Sequence, residues 1–198
     1  MMLNMKTILF SLLVSLVTFS SVALAQTSDF AIGTKLENFT LSDTNGKTQT
    51  FEALKGRKGT VLVWLSAQCP VVKLYNERIS AIAEEFKSKG INFIGINSNA
   101  TEGIDWVRSN AEANYRFPVL IDKDNVLADK LGATVTPETY FFDSGAKLLY
   151  HGAIDNDRSG RNIQENYLRN AFTNALEGRP IERTRANAFG CTIKRTGM

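Results

Sequence analysis

The chain holds two cysteines and one histidine in 198 residues, so soft-ligand or nucleophilic chemistry rests on Cys69, Cys191 and His151. Cys69 stands in Ser66-Ala67-Gln68-Cys69-Pro70, between the apolar run Thr60–Leu65 and a long stretch with helical spacing. That junction puts it at the end of a buried strand and the start of a helix. There the first N–H groups lack internal partners and the helix dipole is positive, and both favour a thiolate. A free thiol titrates near ~8.5, and such sites bring it to about 3.5–7.5. Lys73, one turn along, adds positive charge. The other reading is a small buried apolar side chain, a common fate of cysteine. Cys191 follows in the last stretch of the chain. Three roles are open to it: a thiol that resolves Cys69, a permanent staple pinning the tail, or a separate group. Either bond requires the two Cα atoms within about 7 Å, and a staple over so long a loop contributes about 4–5 kcal/mol in the chain-entropy account.

The elements that must position these residues are written in the periodicity. Thr60–Leu65 is too short for a helix and reads as a central strand buried on both faces. Val72, Tyr75, Ile79, Ile82 and Phe86 fall at 3, 4, 3, 4 spacing, one helical stripe, with Pro70 in its first turn and Gly90 as its stop. Phe39–Leu41 and Thr48–Phe51 flank an Asn45-Gly46 turn, a hairpin signal. Ile91–Ile96 is a second buried strand. A helix is expected from Thr101 to about Asn114, with Trp106 facing the core like Trp64 and Tyr75. Phe117–Ile121 reads as a third strand, placed at a sheet edge by Pro118. Asp124–Leu131 is a short helix ended by Gly132, Thr139–Phe142 and Lys147–Tyr150 form a second hairpin, and Ile163–Leu176 is a last amphipathic helix. Strands alternating with helices imply a mainly parallel sheet, and the hairpins make it mixed. The fold class is therefore α/β, a central mixed sheet flanked by helices, with an N-terminal hairpin.

Charge and composition narrow the function. Twenty-three basic against 20 acidic residues leave +3, without the basic stripe a nucleic-acid surface needs. One histidine excludes a multi-histidine metal centre. Lys6, the apolar run Ile8–Phe19 and Ala23-Leu24-Ala25 have the layout of a cleaved signal peptide over residues 1–25. The expected organisation is then a domain over 26–180 and a tail, 181–198, that carries Cys191. The product would be periplasmic or secreted, off the membrane after cleavage, in a compartment where paired cysteines persist.

The strand–Ser-Ala-Gln-Cys-Pro–helix unit, Thr136-Pro137-Glu138-Thr139 ahead of the last hairpin and the β/α order resemble the thioredoxin-like fold. Phe117–Asp122, Leu149–Asp155 and the tail Phe189-Gly190-Cys191-Thr192-Ile193-Lys194 resemble its exported redoxin subgroup, the peroxiredoxin-like AhpC/TSA proteins. The resemblance runs from about Phe30 to Lys194. It implies a cis peptide bond at Thr136–Pro137, with Pro137 facing the nucleophile Cys69 and Pro70, Thr136 and Pro137 lining a substrate groove. If the tail folds back over the helix start, Cys191 can resolve Cys69 in a two-cysteine cycle: Cys69 attacks, Cys191 displaces the product and an external reductant resets the pair. Partners would be a protein or small-molecule thiol, disulfide or peroxide, with no cofactor.

The sequence departs from its relatives at several positions. Val72 stands where thioredoxins carry a second cysteine, and Val63 where they carry a buried acid. Of the peroxidatic Pro-x-x-x-Thr-x-x-Cys pattern, Ser66 occupies the hydroxyl position, where it would hydrogen-bond the thiolate, and Leu62 the proline position. Arg116 is a candidate for the arginine beside a peroxidatic thiolate, against a solvated loop charge. Copper-delivering relatives need a cysteine and a histidine where Lys73 and Ser144 stand, and His151 reads as an exposed strand residue. The remaining alternatives are a redox-inactive binding module and a copper-handling protein. Asp155–Gly160 reads as a polar turn rather than a calcium loop.

Overall fold

A computed structural model describes residues 30–197. The expected signal peptide lies outside these residues. In chain order the elements are β1 (Thr40–Asp43), β2 (Thr48–Thr50), α1 (Phe51–Leu54), β3 (Gly59–Trp64), α2 (Pro70–Lys87), β4 (Ile91–Asn97), α3 (Ile104–Asn114), β5 (Val119–Ile121), α4 (Val126–Leu131), β6 (Val135–Thr136), β7 (Glu138–Asp143), β8 (Leu148–Gly152), α5 (Tyr167–Leu176), β9 (Arg185–Ala186) and β10 (Cys191–Thr192). A 3-10 turn, Lys123–Asn125, leads into α4.

The main sheet runs β2-β1-β5-β4-β3-β7-β8-β9. β3 lies parallel to β4 and antiparallel to β7, so the sheet is mixed as expected. All six residues of β3 are buried. Alternation along a strand sends neighbours to opposite faces. Val61, Val63 and Leu65 pack with Val72, Tyr75, Ile79 and Phe86 of α2 and with Phe172 of α5. Leu62 and Trp64 face Leu127 and Leu131 of α4 and Tyr140 and Phe142 of β7. The stripe read from the sequence is thus the buried face of α2. Its end follows from Gly90, whose φ of +91° is the left-handed region a glycine enters without strain.

Several expectations are corrected. β5 is not an edge strand: it pairs with β4 on one side and β1 on the other. Pro118 lies just outside it, and its carbonyl accepts the Gly95 N–H at 2.9 Å. Helix α3 starts at Ile104, and its buried residues are Val107 and Ala111, so Trp106, one position round the helix, is 58% exposed. The last helix starts at Tyr167 rather than Ile163. Upstream, Asn156 Oδ1 accepts the N–H groups of Gln164 and Glu165, and Asp157 accepts those of Ser159 and Asn162. Donors bound to side chains fold that segment as a polar turn before the helix begins. The turn docks on α2 through Arg78, which donates to Asp155 at 2.6 Å. His151 is half-buried rather than exposed.

Candidate active site

Cys69 caps the N-terminus of α2, with Pro70 in the first turn and the Lys73 N–H closing that turn on the Cys69 carbonyl at 3.1 Å. The strand that precedes it is fixed on both sides by β4 and β7, so the position of Cys69 is inherited from the middle of the sheet. The tail comes back over this point. β10 pairs antiparallel with β6, Cys191 opposite Thr136 and Thr192 opposite Val135. Cys69 and Cys191 form a disulfide across 122 residues, with their Cα atoms 5.9 Å apart. The Thr136–Pro137 bond is cis, and the Cys69 sulfur lies 3.4 Å from the Thr136 carbonyl oxygen. The structure therefore gathers Cys69, Cys191, Thr136 and Pro137 at one point, with exposed Pro70 beside them.

The two sulfurs are not equivalent. Cys69 is 2% exposed, whereas Cys191 is half-buried. Gly190 lets the tail pass this closely, since a Cβ there would stand 1.9 Å from the Thr136 oxygen. Beyond Cys191 the tail is held by contacts of its own. The Ile193 side chain is 1% exposed among the residues under the sheet, and its N–H donates to the Thr134 carbonyl at 2.9 Å. The Lys194 N–H donates to Asn99 Oδ1 and the Thr196 N–H to Asn125 Oδ1, each at 3.0 Å. Arg195 pairs with Asp129 at 2.8 Å.

The turn ahead of Cys69 is tied to Glu102. Its Oε1 accepts the Ser66 hydroxyl at 2.5 Å and the Gln68 N–H at 3.0 Å. Its Oε2 accepts the Ala67 N–H at 3.0 Å and Asn97 Nδ2 at 2.6 Å. Ser66 Oγ in turn accepts the Cys69 N–H at 3.0 Å. In this disulfide form the Ser66 hydroxyl hydrogen is thus directed at a carboxylate and its oxygen at the Cys69 backbone. Arg116 is an exposed side chain after α3, donating to the Glu112 carbonyl, at the opposite end of the parallel strands from Cys69.

This arrangement is carried by a chain whose residues 32–151 match the AhpC/TSA family model. The chain belongs to the AhpC/TSA family. Thiol-disulfide oxidoreductase ResA of Halalkalibacterium halodurans is 27% identical over 132 residues, covering 67% of this chain and 74% of that protein. A hypothetical protein of Sinorhizobium meliloti 1021 superposes with a TM-score of 0.78 at 30% identity, over 85% of this chain and 96% of that one. An uncharacterised conserved protein of Geobacillus kaustophilus gives 0.80 at 29% identity, over 85% and 94%. The fold is thioredoxin-like, as the resemblance implied.

Two carboxylates of this AhpC/TSA protein escaped the sequence reading. Glu138 follows the cis proline directly and is 5% exposed. Its Oε2 accepts the Thr134 and Val135 N–H groups at 2.8 and 3.2 Å, and its Oε1 lies 2.5 Å from His151 Nε2. The His151 ring stacks on Tyr140 at 4.1 Å. Glu138 thereby fixes the segment that carries β6, and its place in Pro-Glu-Thr was a usable signal. Glu102 had no such signal, because it lies in an irregular turn 33 residues from Cys69. Near the tail, burial and then Asp155 push the Tyr75 phenol up, so it stays a neutral donor to Asp155 at 2.9 Å. Among the described residues no three of His, Cys, Asp and Glu are grouped to hold a metal ion.

Proposed function

We propose that this protein is an exported thiol-disulfide oxidoreductase whose working unit is the Cys69–Cys191 pair, carried by a redoxin domain over 26–180 and a tail over 181–198. The observation that carries the reading is the bond between a helix-capping cysteine and a tail cysteine, beside a proline-preceding segment, in a chain without a second cysteine at position 72. The relative named as a thiol-disulfide oxidoreductase supports it. No helix among the described residues is long and apolar enough to cross a membrane. The layout of residues 1–25 supports export, and N-terminal sequencing of the secreted product should begin at Gln26.

The cycle balances with a dithiol reductant and a disulfide substrate. A reductant thiolate attacks Cys191, the more open sulfur, and Cys69 leaves as a thiolate at the head of α2. The second reductant thiol then displaces Cys191, and the reductant departs as a disulfide. In the other half-cycle Cys69 attacks the substrate disulfide, one substrate sulfur leaves as a thiol, and Cys191 displaces the other while the protein disulfide re-forms. Attack by Cys69 requires residues 187–192 to lift, given its burial. Exchange with disulfides is favoured over peroxide reduction because Ser66 is engaged by Glu102 and Arg116 is remote.

One observation favours a second reading, a permanent staple: the tail is anchored by Ile193 and its neighbours as well as by the disulfide. Exchange with a protein disulfide separates the two. Wild type should turn over, Cys69→Ser and Cys191→Ser should not, and Cys191→Ser should accumulate a mixed disulfide through Cys69. Wild type without exchange under native conditions would leave the staple.

A further inference from the structure

We propose that Glu102 is a positioning residue for Cys69, and that by anchoring a negative charge beside the start of α2 it makes the Cys69–Cys191 pair an electron donor rather than an oxidant. This deepens the proposed exchange function and rests on it.

The geometry selects a carboxylate. Each Glu102 oxygen receives two donors: Ser66 Oγ–H and Gln68 N–H at Oε1, Ala67 N–H and Asn97 Nδ2 at Oε2. An ionised carboxylate accepts at both oxygens and donates nothing, so it alone satisfies all four. A glutamine there would turn an NH2 group against a backbone N–H at either end. The three residues it holds, Ser66, Ala67 and Gln68, are the whole of the turn between Leu65 and Cys69. Through Ser66 the hold extends to the Cys69 N–H. The carboxylate is therefore two hydrogen bonds from the backbone of Cys69.

Its charge works against the helix. The N-terminus of α2 offers about half a positive charge to a Cys69 thiolate, whereas Glu102 sets a full negative charge at the same end. Like charges disfavour ionisation. Lys73 is exposed, one turn further on, and better screened by water. A helix-capping cysteine with a stabilised thiolate makes its disulfide a strong oxidant, because the reduced form is favoured. Here the reduced form is disfavoured, so electrons pass outward, from the protein thiols to a substrate disulfide. The balance is two protein thiols and one external disulfide giving one protein disulfide and two external thiols.

The test uses the full chain without its leader. Wild type, Glu102→Gln, Glu102→Asp and Glu102→Ala are equilibrated with glutathione and glutathione disulfide, and the reduced fraction is read by alkylation mass shift. In parallel, Cys69 ionisation is followed by thiolate ultraviolet absorbance in a Cys191→Ser background. Loss of one nearby charge should raise the equilibrium constant for reduction and the Cys69 thiolate ratio by roughly tenfold in Glu102→Gln. Glu102→Asp, which keeps the charge, should stay within about threefold of wild type. The proposal is overturned if Glu102→Gln lowers the melting temperature while leaving both ratios at wild-type values, or if Glu102→Asp shifts them as far as Glu102→Gln. Wild type inert to glutathione would remove the exchange function instead, and the absorbance arm would still decide what Glu102 does to Cys69.

Discussion

The two ends of the disulfide reach each other from opposite kinds of backbone. Cys69 is fixed by a strand buried on both faces and an 18-residue helix. Cys191 sits in a two-residue strand whose sheet partner is β6, itself two residues long. The first end sits between the two elements that flank it in the chain, β3 and α2, with β4 and β7 pairing along both edges of the strand. The second is held by side chains from distant segments: Ile193 in the core, Asn99 and Asn125 under the tail backbone, Glu138 behind β6. A deep sulfur on a rigid mount thus meets a more open one on a strap, a division suited to a bond that is made and broken.

The largest effect should come from cutting the bond. Cys191→Ser should lose about 5 kcal/mol of unfolding free energy relative to oxidised wild type, the chain-entropy value for a loop of this length, measured in denaturant. If the side chains hold the strap as described, the Ile193 and Lys194 amides keep slow hydrogen exchange in that variant. Fast exchange there would make the disulfide the sole anchor. Next comes Ile193→Ala, which empties a buried site on the strap and should cost about 2–4 kcal/mol. It should also speed reduction of the disulfide by an external thiol, whereas Ile79→Ala on the rigid side should destabilise the fold similarly without that acceleration. Trp106→Ala lies outside both arms and, being 58% exposed, should change stability by no more than about 0.5 kcal/mol.

The smallest effect is local. Hydrogen bonds from the Asn162 N–H, then Ser159, lower the Asp157 carboxyl to about 2. A depressed carboxyl contributes order that is present above its unfolded value of about 3.9 and lost as pH falls through the folded one. The Asn162 amide shift should therefore hold to about pH 3 and move only near pH 2, with the tail unaffected. Movement at pH 4 would show that the turn is not held by Asp157.

What was legible in the sequence follows the same division. The apolar run of β3, the stripe of α2 and the Gly90 stop are local patterns, and they placed Cys69 correctly at a strand–helix junction. The Cys69–Cys191 bond belonged to two of the three roles left open for Cys191, because pairing across 122 residues leaves no trace in periodicity. Trp106 was misplaced because an apolar residue at helical spacing carries no label for which neighbour wins the core; Val107 and Ala111 did. The late start of α5 was hidden because Asn156 and Asp157 take up backbone donors by tertiary geometry. Glu102 was invisible because its meaning depends on four donors that the turn and β4 bring to it. Ser66 was noticed for its spacing to Cys69, yet its partner decides what its hydroxyl does.

The most direct test of the exchange function is redox equilibration of the native wild-type protein with glutathione and glutathione disulfide, followed by alkylation and mass analysis. The account predicts reversible interconversion between one form with the Cys69–Cys191 disulfide and one with two free thiols, without unfolding. A bond that resists every glutathione ratio until the protein is denatured, or two thiols that stay unpaired under oxidising ratios, would contradict it.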